Sequence, residues 1–269
     1  MLQTLTEADR AWVLDYIAAE PEFNLFLFGD LENYGFSGDP VSVYATENAA
    51  GARNGVLLQY YAYFLLYSAD PAFDGAETAA FLRERECATL SGKADVVRRV
   101  MPYMPDKKLR ITYLSRCSRV HDSAVPALPD GAALVRVYAD GVPDVMRMLA
   151  TIDEFASDME TEEDLADEIE RTKKELAHGS VQYAVYDHGA LAAAASSSGA
   201  NSQSAMVMAV ATLPSFRGRG YASNAVAAVC RDSFAEGRRF LCLFYDNPEA
   251  GRMYRKIGFE EIGEYAMLK

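Results

Sequence analysis

Along residues 1–120, apolar positions fall in short blocks whose spacing switches between helix and strand periods. Residues 1–5 read as a strand, and Thr6 as the cap of a helix with Trp12, Val13, Tyr16 and Ile17 turned inward; 23–34 reads as a second helix. Stretches rich in Val, Tyr and Phe at 41–46 and 56–67 predict two strands, with the turn pair Asn54-Gly55 just before the second. A helix at 76–85, a strand at 86–90, a helix at 94–104 and a strand at 109–115 follow, giving the order βααββαβαβ. Residues 115–131, SRCSRVHDSAVPALPDG, are polar, carry two prolines and end in Gly, as a linker does. Beyond them come a strand at 134–138, helices at 142–152 and 162–177, and strands at 181–186 and 191–196. Next is a strand–loop–helix stretch at 204–235, then a strand at 240–245, a helix at 248–257 and a last strand or pair at 259–268. This reads as the same order a second time. The expectation is therefore an α/β (α+β) chain with mixed central sheets, made of two copies of one fold, 1–120 and 132–269, joined by 121–131. The alternative is a single α/β domain with a long insertion.

The stretch 204–235, SAMVMAVATLPSFRGRGYASNAVAAVCRDSFA, carries the strongest chemical signal. It predicts a buried strand at 206–212, a turn at Leu213-Pro214, a Gly/Arg loop at 217–222, and a helix with Ala225, Val226, Val229 and Phe234 on its apolar side. A helix N-terminus offers free N–H groups and partial positive charge, and glycine lets a ligand approach the backbone closely. Arg217 and Arg219 add side-chain charge beside those amides, which favours a pyrophosphate. The matching junction of the first half reads SADPAFDGAETA and places Asp70, Asp74 and Glu77 where the arginines would stand, so it repels such a group. One site per chain is expected.

Composition narrows the classes. Half of the 269 residues are hydrophobic, enough for a sizeable core, and the first residues lack the basic and apolar regions of a secretory signal. The longest apolar run, 56–67, is interrupted by Gln59 and falls short of the ~20 residues that cross a bilayer, so no membrane partner is expected. A net charge of −13 argues against nucleic acid and is compatible with a cationic substrate. The four cysteines and three histidines show no ligand spacing, so no metal is expected, and reduced thiols fit a cytoplasmic protein.

The spacing Arg217-x-x-Gly220-x-Ala222 after Val210-Ala211-Thr212-Leu213-Pro214 resembles the coenzyme A signature of the GNAT acyltransferase superfamily. Cys242-Leu243-Phe244-Tyr245-Asp246-Asn247, followed by Ala250, Tyr254, Ile257, Gly258 and Phe259, is similar to that family's second motif. The resemblance implies a tandem GNAT protein whose first copy is degenerate and helps wall the acceptor pocket. It implies acetyl-CoA as cofactor, held by Val210, Ala211, Thr212, Arg217, Gly218, Arg219, Gly220, Tyr221, Ala222, Ser223 and Asn247. The pantetheine arm would lie between the strands ending near Thr212 and Tyr245 and bond the main chain of Val210 and Thr212. A backbone N–H near Val210 or Ala211 would serve the oxyanion. Tyr254 stands where the family places its general acid; a phenol of pKa ~10 is close enough to a thiol at ~8.5 to protonate it. The other reading of Tyr254 is packing alone, and Asn247 reads equally as a helix cap. Asp153, Glu154 and Asp158 lie in the region that lines the acceptor site in resembling proteins, the first two also as candidate bases beside a water chain. The implied reaction is N-acetylation of a small-molecule amine by direct attack on the thioester. Alternatives are a longer acyl donor or an amino-acid acceptor such as glycine, a protein-modifying acetyltransferase, and a non-catalytic acyl-CoA-binding module.

Overall fold

The computed structural model describes residues 2–269, so Met1, the start of the first expected strand, lies outside the described residues. The elements in chain order begin with β1 (Gln3–Thr4), α1 (Arg10–Ile17), α2 (Leu25–Tyr34), β2 (Ser37–Gly38), β3 (Val41–Glu47), β4 (Arg53–Tyr60) and β5 (Tyr63–Tyr67). Next come α3 (Gly75–Glu84), β6 (Thr89–Lys93), α4 (Ala94–Val100), β7 (Leu109–Cys117), β8 (Ala132–Val137), α5 (Val142–Ala150), α6 (Asp153–Ala156) and α7 (Glu162–Ala177). The chain ends with β9 (Gln182–Asp187), β10 (Ala190–Ser198), β11 (Ser204–Thr212), α8 (Tyr221–Ala235), β12 (Phe240–Tyr245), α9 (Pro248–Ile257) and β13 (Glu260–Leu268). They divide into two units, one running to Leu114 and taking in Ile262–Lys269, the other Ser115–Glu261.

In the first unit the strands run in the order β1-β3-β4-β5-β6-β13-β7, with β2 on β3. β5 and β6 are parallel, while β3, β4 and β5 form an antiparallel meander. The C-terminal strand β13 lies antiparallel to β6, with Tyr265 opposite Lys93 and Leu268 opposite Leu90. Both sheet faces are covered. Val56 and Leu58 join the core beneath α1 and α2, while Leu57 joins the one beneath α3 and α4. That two-sided burial explains a difference from expectation: the apolar run 56–67 is a hairpin, β4 and β5, not one strand. A strand buried on both faces shows no alternation, and the reversal is made by Tyr61 in the left-handed region (φ 50°), without the glycine or asparagine that announces a turn. Besides the two-residue β2, three strands therefore stand between the second and third helices, where two were expected.

In the second unit the order is β8-β9-β10-β11-β12, antiparallel except for the parallel pair β11–β12. One core lies beneath α5 and α7, the other beneath α8 and α9. Thr161 and Asp164 close a reciprocal cap at the start of α7. The helix expected at 142–152 stops at Ala150, where the Thr151 hydroxyl donates to the Met148 carbonyl (2.7 Å) and Ile152 is extended. The segment 121–131 packs within this unit: Val125 and Leu128 lie against its core, and Asn224 Nδ2 donates to the Pro126 carbonyl (2.9 Å).

Candidate functional site

The parallel strands β11 and β12 pair only at Ser204–Phe240, Ala205–Leu241 and Met206–Cys242. Beyond Met206 they part, leaving the β12 side of residues 207–212 open. On its other side β11 stays on β10 through a bulge: Ala211 faces Ala194, but Met208 faces Ser196, and the extra residue Ala209 has φ 51°. The Leu213 N–H donates to the Ala192 carbonyl (3.0 Å), so by alternation Ala211 also bonds toward β10. Val210 and Thr212 consequently turn N–H and C=O into the gap, an edge ready to pair with an extended amide chain.

At the end of β11, Gly218 (φ 79°) and Gly220 (φ 82°) turn the chain into α8. A Cβ on Gly218 would meet nothing within 4 Å, so glycine there serves the backbone angle alone, whereas one on Gly220 would stand 2.4 Å from Pro126 Cγ. No side chain caps α8, and its first internal bond runs from the Asn224 N–H to the Gly220 carbonyl (3.1 Å). The N–H groups of Tyr221, Ala222 and Ser223 are left without helical partners, beside the positive end of the dipole. The two arginines are not equivalent, as the sequence had suggested. Arg217 is exposed and its Nε donates to the Thr212 carbonyl (3.2 Å). Arg219 Nη1 donates to Asp187 Oδ2 (2.8 Å), a carboxylate only 8% exposed, and its guanidinium lies 5.6 Å from the Phe216 ring. Asp187 was missed in the sequence because it lies on β9, 32 residues from its partner, with no local spacing to mark it.

Asn247 caps α9: its Oδ1 accepts the Glu249 N–H (2.8 Å), and Pro248 opens the helix. Tyr254 is buried on the inner face of α9, its ring centroid 6.0 Å from Tyr245 and 5.9 Å from Phe259. Burial pushes its phenol up to about 12. Its hydroxyl bonds to none of the described residues. Tyr245 Oη donates to Glu261 Oε2 (2.5 Å), so of the two tyrosines only Tyr254 has a hydroxyl without an acceptor among the described residues. Asp153 and Glu154 open the short α6 rather than ending the preceding helix, and Asp158 follows it. All three are exposed, with no ion pair to a described residue. Among the described residues there is no cluster of three or more His, Cys, Asp or Glu fit for a metal, and no helix long and apolar enough to cross a membrane.

Residues 145–259 match the sequence model of the Acetyltransferase (GNAT) family. Among solved structures, the chain is similar to a Drosophila protein at 15% identity, covering 100% of this chain and 97% of the other with a TM-score of 0.68. It is similar to a GCN5-related N-acetyltransferase from Sphaerobacter thermophilus (14% identity, 100% and 94% covered, TM-score 0.64). It also resembles a tandem GNAT protein from the clavulanic acid biosynthesis pathway (16% identity, 100% and 97% covered, TM-score 0.58). No curated protein sequence matches.

Proposed function

With residues 145–259 a GNAT acetyltransferase domain, in a chain of tandem GNAT fold, we propose that this N-acetyltransferase uses acetyl-CoA to acetylate a small-molecule amine. The observation that carries the reading is the conjunction of an uncapped helix N-terminus with an open strand edge one loop away. The residues fit the cofactor. Backbone N–H groups of Tyr221, Ala222 and Ser223 would face its diphosphate, exposed Arg217 would add charge, and Val210 with the Thr212 N–H would offer main-chain groups to the amide arm, the Thr212 carbonyl already accepting from Arg217 Nε. Arg219, held by Asp187, shapes the loop instead of supplying a free charge. Acetyl-CoA, when bound, would supply the acetyl group as a thioester, with coenzyme A leaving as the thiol.

The chain's own residues then supply orientation and hydrogen bonds. The bulge at Ala209 turns the Val210 N–H toward the gap, where it can serve the developing oxyanion. Tyr254 Oη, lacking a protein acceptor, is free to donate to the departing sulfur. A phenol raised to about 12 is a poor proton donor to a thiolate whose acid lies near ~8.5, so its contribution is a transition-state hydrogen bond more than full proton transfer. Asp153, Glu154 and Asp158, exposed and unpaired, favour a cationic amine by Coulomb attraction that salt screens. The test is a panel of amines with acetyl-CoA, following thiol release. Turnover of small amines supports the reading, with cationic tails preferred at low salt. Turnover only with a longer acyl donor would shift the donor assignment, and coenzyme A binding without turnover of any amine would point to a non-catalytic module.

A further inference from the structure

The first unit holds a carboxylate that its fold leaves unmatched. Asp30 lies on α2 three residues after Leu27 and four before Tyr34, on the side of the helix whose Leu27 and Leu31 enter the core. It is half-buried and makes no hydrogen bond or ion pair with a described residue. Burial holds its acid up at about 6. Desolvated carboxylates in folded proteins are ordinarily paired, so this one asks for a partner.

Aromatic residues gather on the elements beside it. Tyr60 ends β4 on the face that carries Val56 and Leu58 toward the helices, and Tyr63 is its cross-strand neighbour. Tyr34, one turn beyond Asp30, brings its ring to 5.5 Å from that of Tyr60, and Tyr61 meets Tyr60 edge-on at 5.1 Å and 81°. Tyr34, Tyr61 and Tyr63 are exposed by 46%, 58% and 58%, an unusual gathering of large rings at the surface. The field of Asp30 reaches Tyr60 and, on its inner side, the buried Tyr265 of β13. Ring faces and a carboxylate both attract positive charge, and the rings add contact for alkyl groups. An inorganic dication would need more oxygen ligands than one carboxylate gives, and an anion would be repelled.

We propose that Asp30 with Tyr34, Tyr60, Tyr61 and Tyr63 forms a binding site for a small organic ammonium ion in the first unit. The site is independent of the transfer reaction proposed for the second unit, since none of its residues belongs to the loop at Gly218 and Gly220.

The test is calorimetric titration of the full chain with choline and with its uncharged isostere 3,3-dimethylbutan-1-ol. Choline should saturate one site, with the isostere at least ~10-fold weaker. Asp30→Asn and Tyr60→Leu should each weaken choline by ~10-fold or more, in variants whose thermal unfolding remains cooperative. Should Tyr60→Leu fail to fold, Asp30→Asn decides alone, because it keeps the side-chain shape and removes only the charge. Absence of saturable choline binding, equal affinity for the isostere, or wild-type affinity in Asp30→Asn would overturn the proposal.

Discussion

Tyr254 and Asp30 are both shifted by burial, with opposite consequences. For Tyr254 the neutral phenol is the favoured form, so it keeps its proton far above neutrality. Tyr254→Phe preserves the ring contacts with Tyr245 and Phe259 while deleting the donor. We expect kcat to fall by roughly 10²-fold, the lower end for such groups, with little change in the KM for acetyl-CoA. Unchanged kcat with a good acceptor would leave Tyr254 a packing residue. For Asp30 the acid is raised from an ordinary 3.8 to about 6, so the folded state holds the proton more tightly than the unfolded one. The resulting stability is present below about pH 4 and is lost as pH rises through about 6; at neutral pH the ionised group is a liability. Asp30→Asn should therefore raise stability at pH 7, by on the order of 1–3 kcal/mol, and flatten the pH dependence between pH 4 and 6. Denaturant midpoints at pH 5 and pH 7 check this, and an Asn variant less stable at pH 7 would contradict it. Neither shift was legible in the sequence, because the motif that singles out Tyr254 says nothing of its burial, and Asp30 looks like an ordinary helix residue until the packing around it is known.

Among the elements, those whose ends carry local signals read directly from the sequence. The bounds of α7, β12 and α9 match expectation because Thr161, Asn247-Pro248 and Gly258 mark their ends in the chain itself. The β4–β5 hairpin and the break between α5 and α6 were hidden, since Tyr61 and Thr151 are not the residues that usually mark a reversal or a helix end. The bulge at Ala209 was equally silent, and it is the feature that aims β11 at the gap. At the loop, Gly220→Asp would force a side chain into Pro126 at a left-handed position and set a negative charge beside the uncapped N–H groups that open α8. Coenzyme A affinity should drop ~10-fold or more. A further element-level expectation concerns β13: Ala266 is fully buried against the first unit's core and pairs with Gly92. Ala266→Asp buries an unpaired charge there and should destabilise the fold by several kcal/mol, read as a lowered melting temperature. A mild effect would mean that β13 contributes little to that unit.

On the scale of the whole molecule, the two α/β copies and the Gly/Arg loop that opens α8 were legible in the sequence, because both rest on periodicity and on residues close together in the chain. It did not show that Ile262–Lys269 belong with the first unit, a pairing between β13 and β6 that spans most of the chain and leaves no local trace. The first unit's junction, where Asp74 caps α3 with its own side chain (Asp74 Oδ1 to the Ala76 N–H, 3.0 Å), lacks the free helix N-terminus of α8. A self-capped helix with acidic residues has no vacancy for a diphosphate, which sets the expected stoichiometry. The most direct measurement is a calorimetric titration of the full chain with coenzyme A, in parallel with Gly220→Asp. One coenzyme A per chain, lost or weakened ~10-fold or more in the folded variant, is the predicted result. Two bound per chain, none, or unchanged affinity in Gly220→Asp would contradict the assignment of the donor site to the splayed strands and the N-terminus of α8.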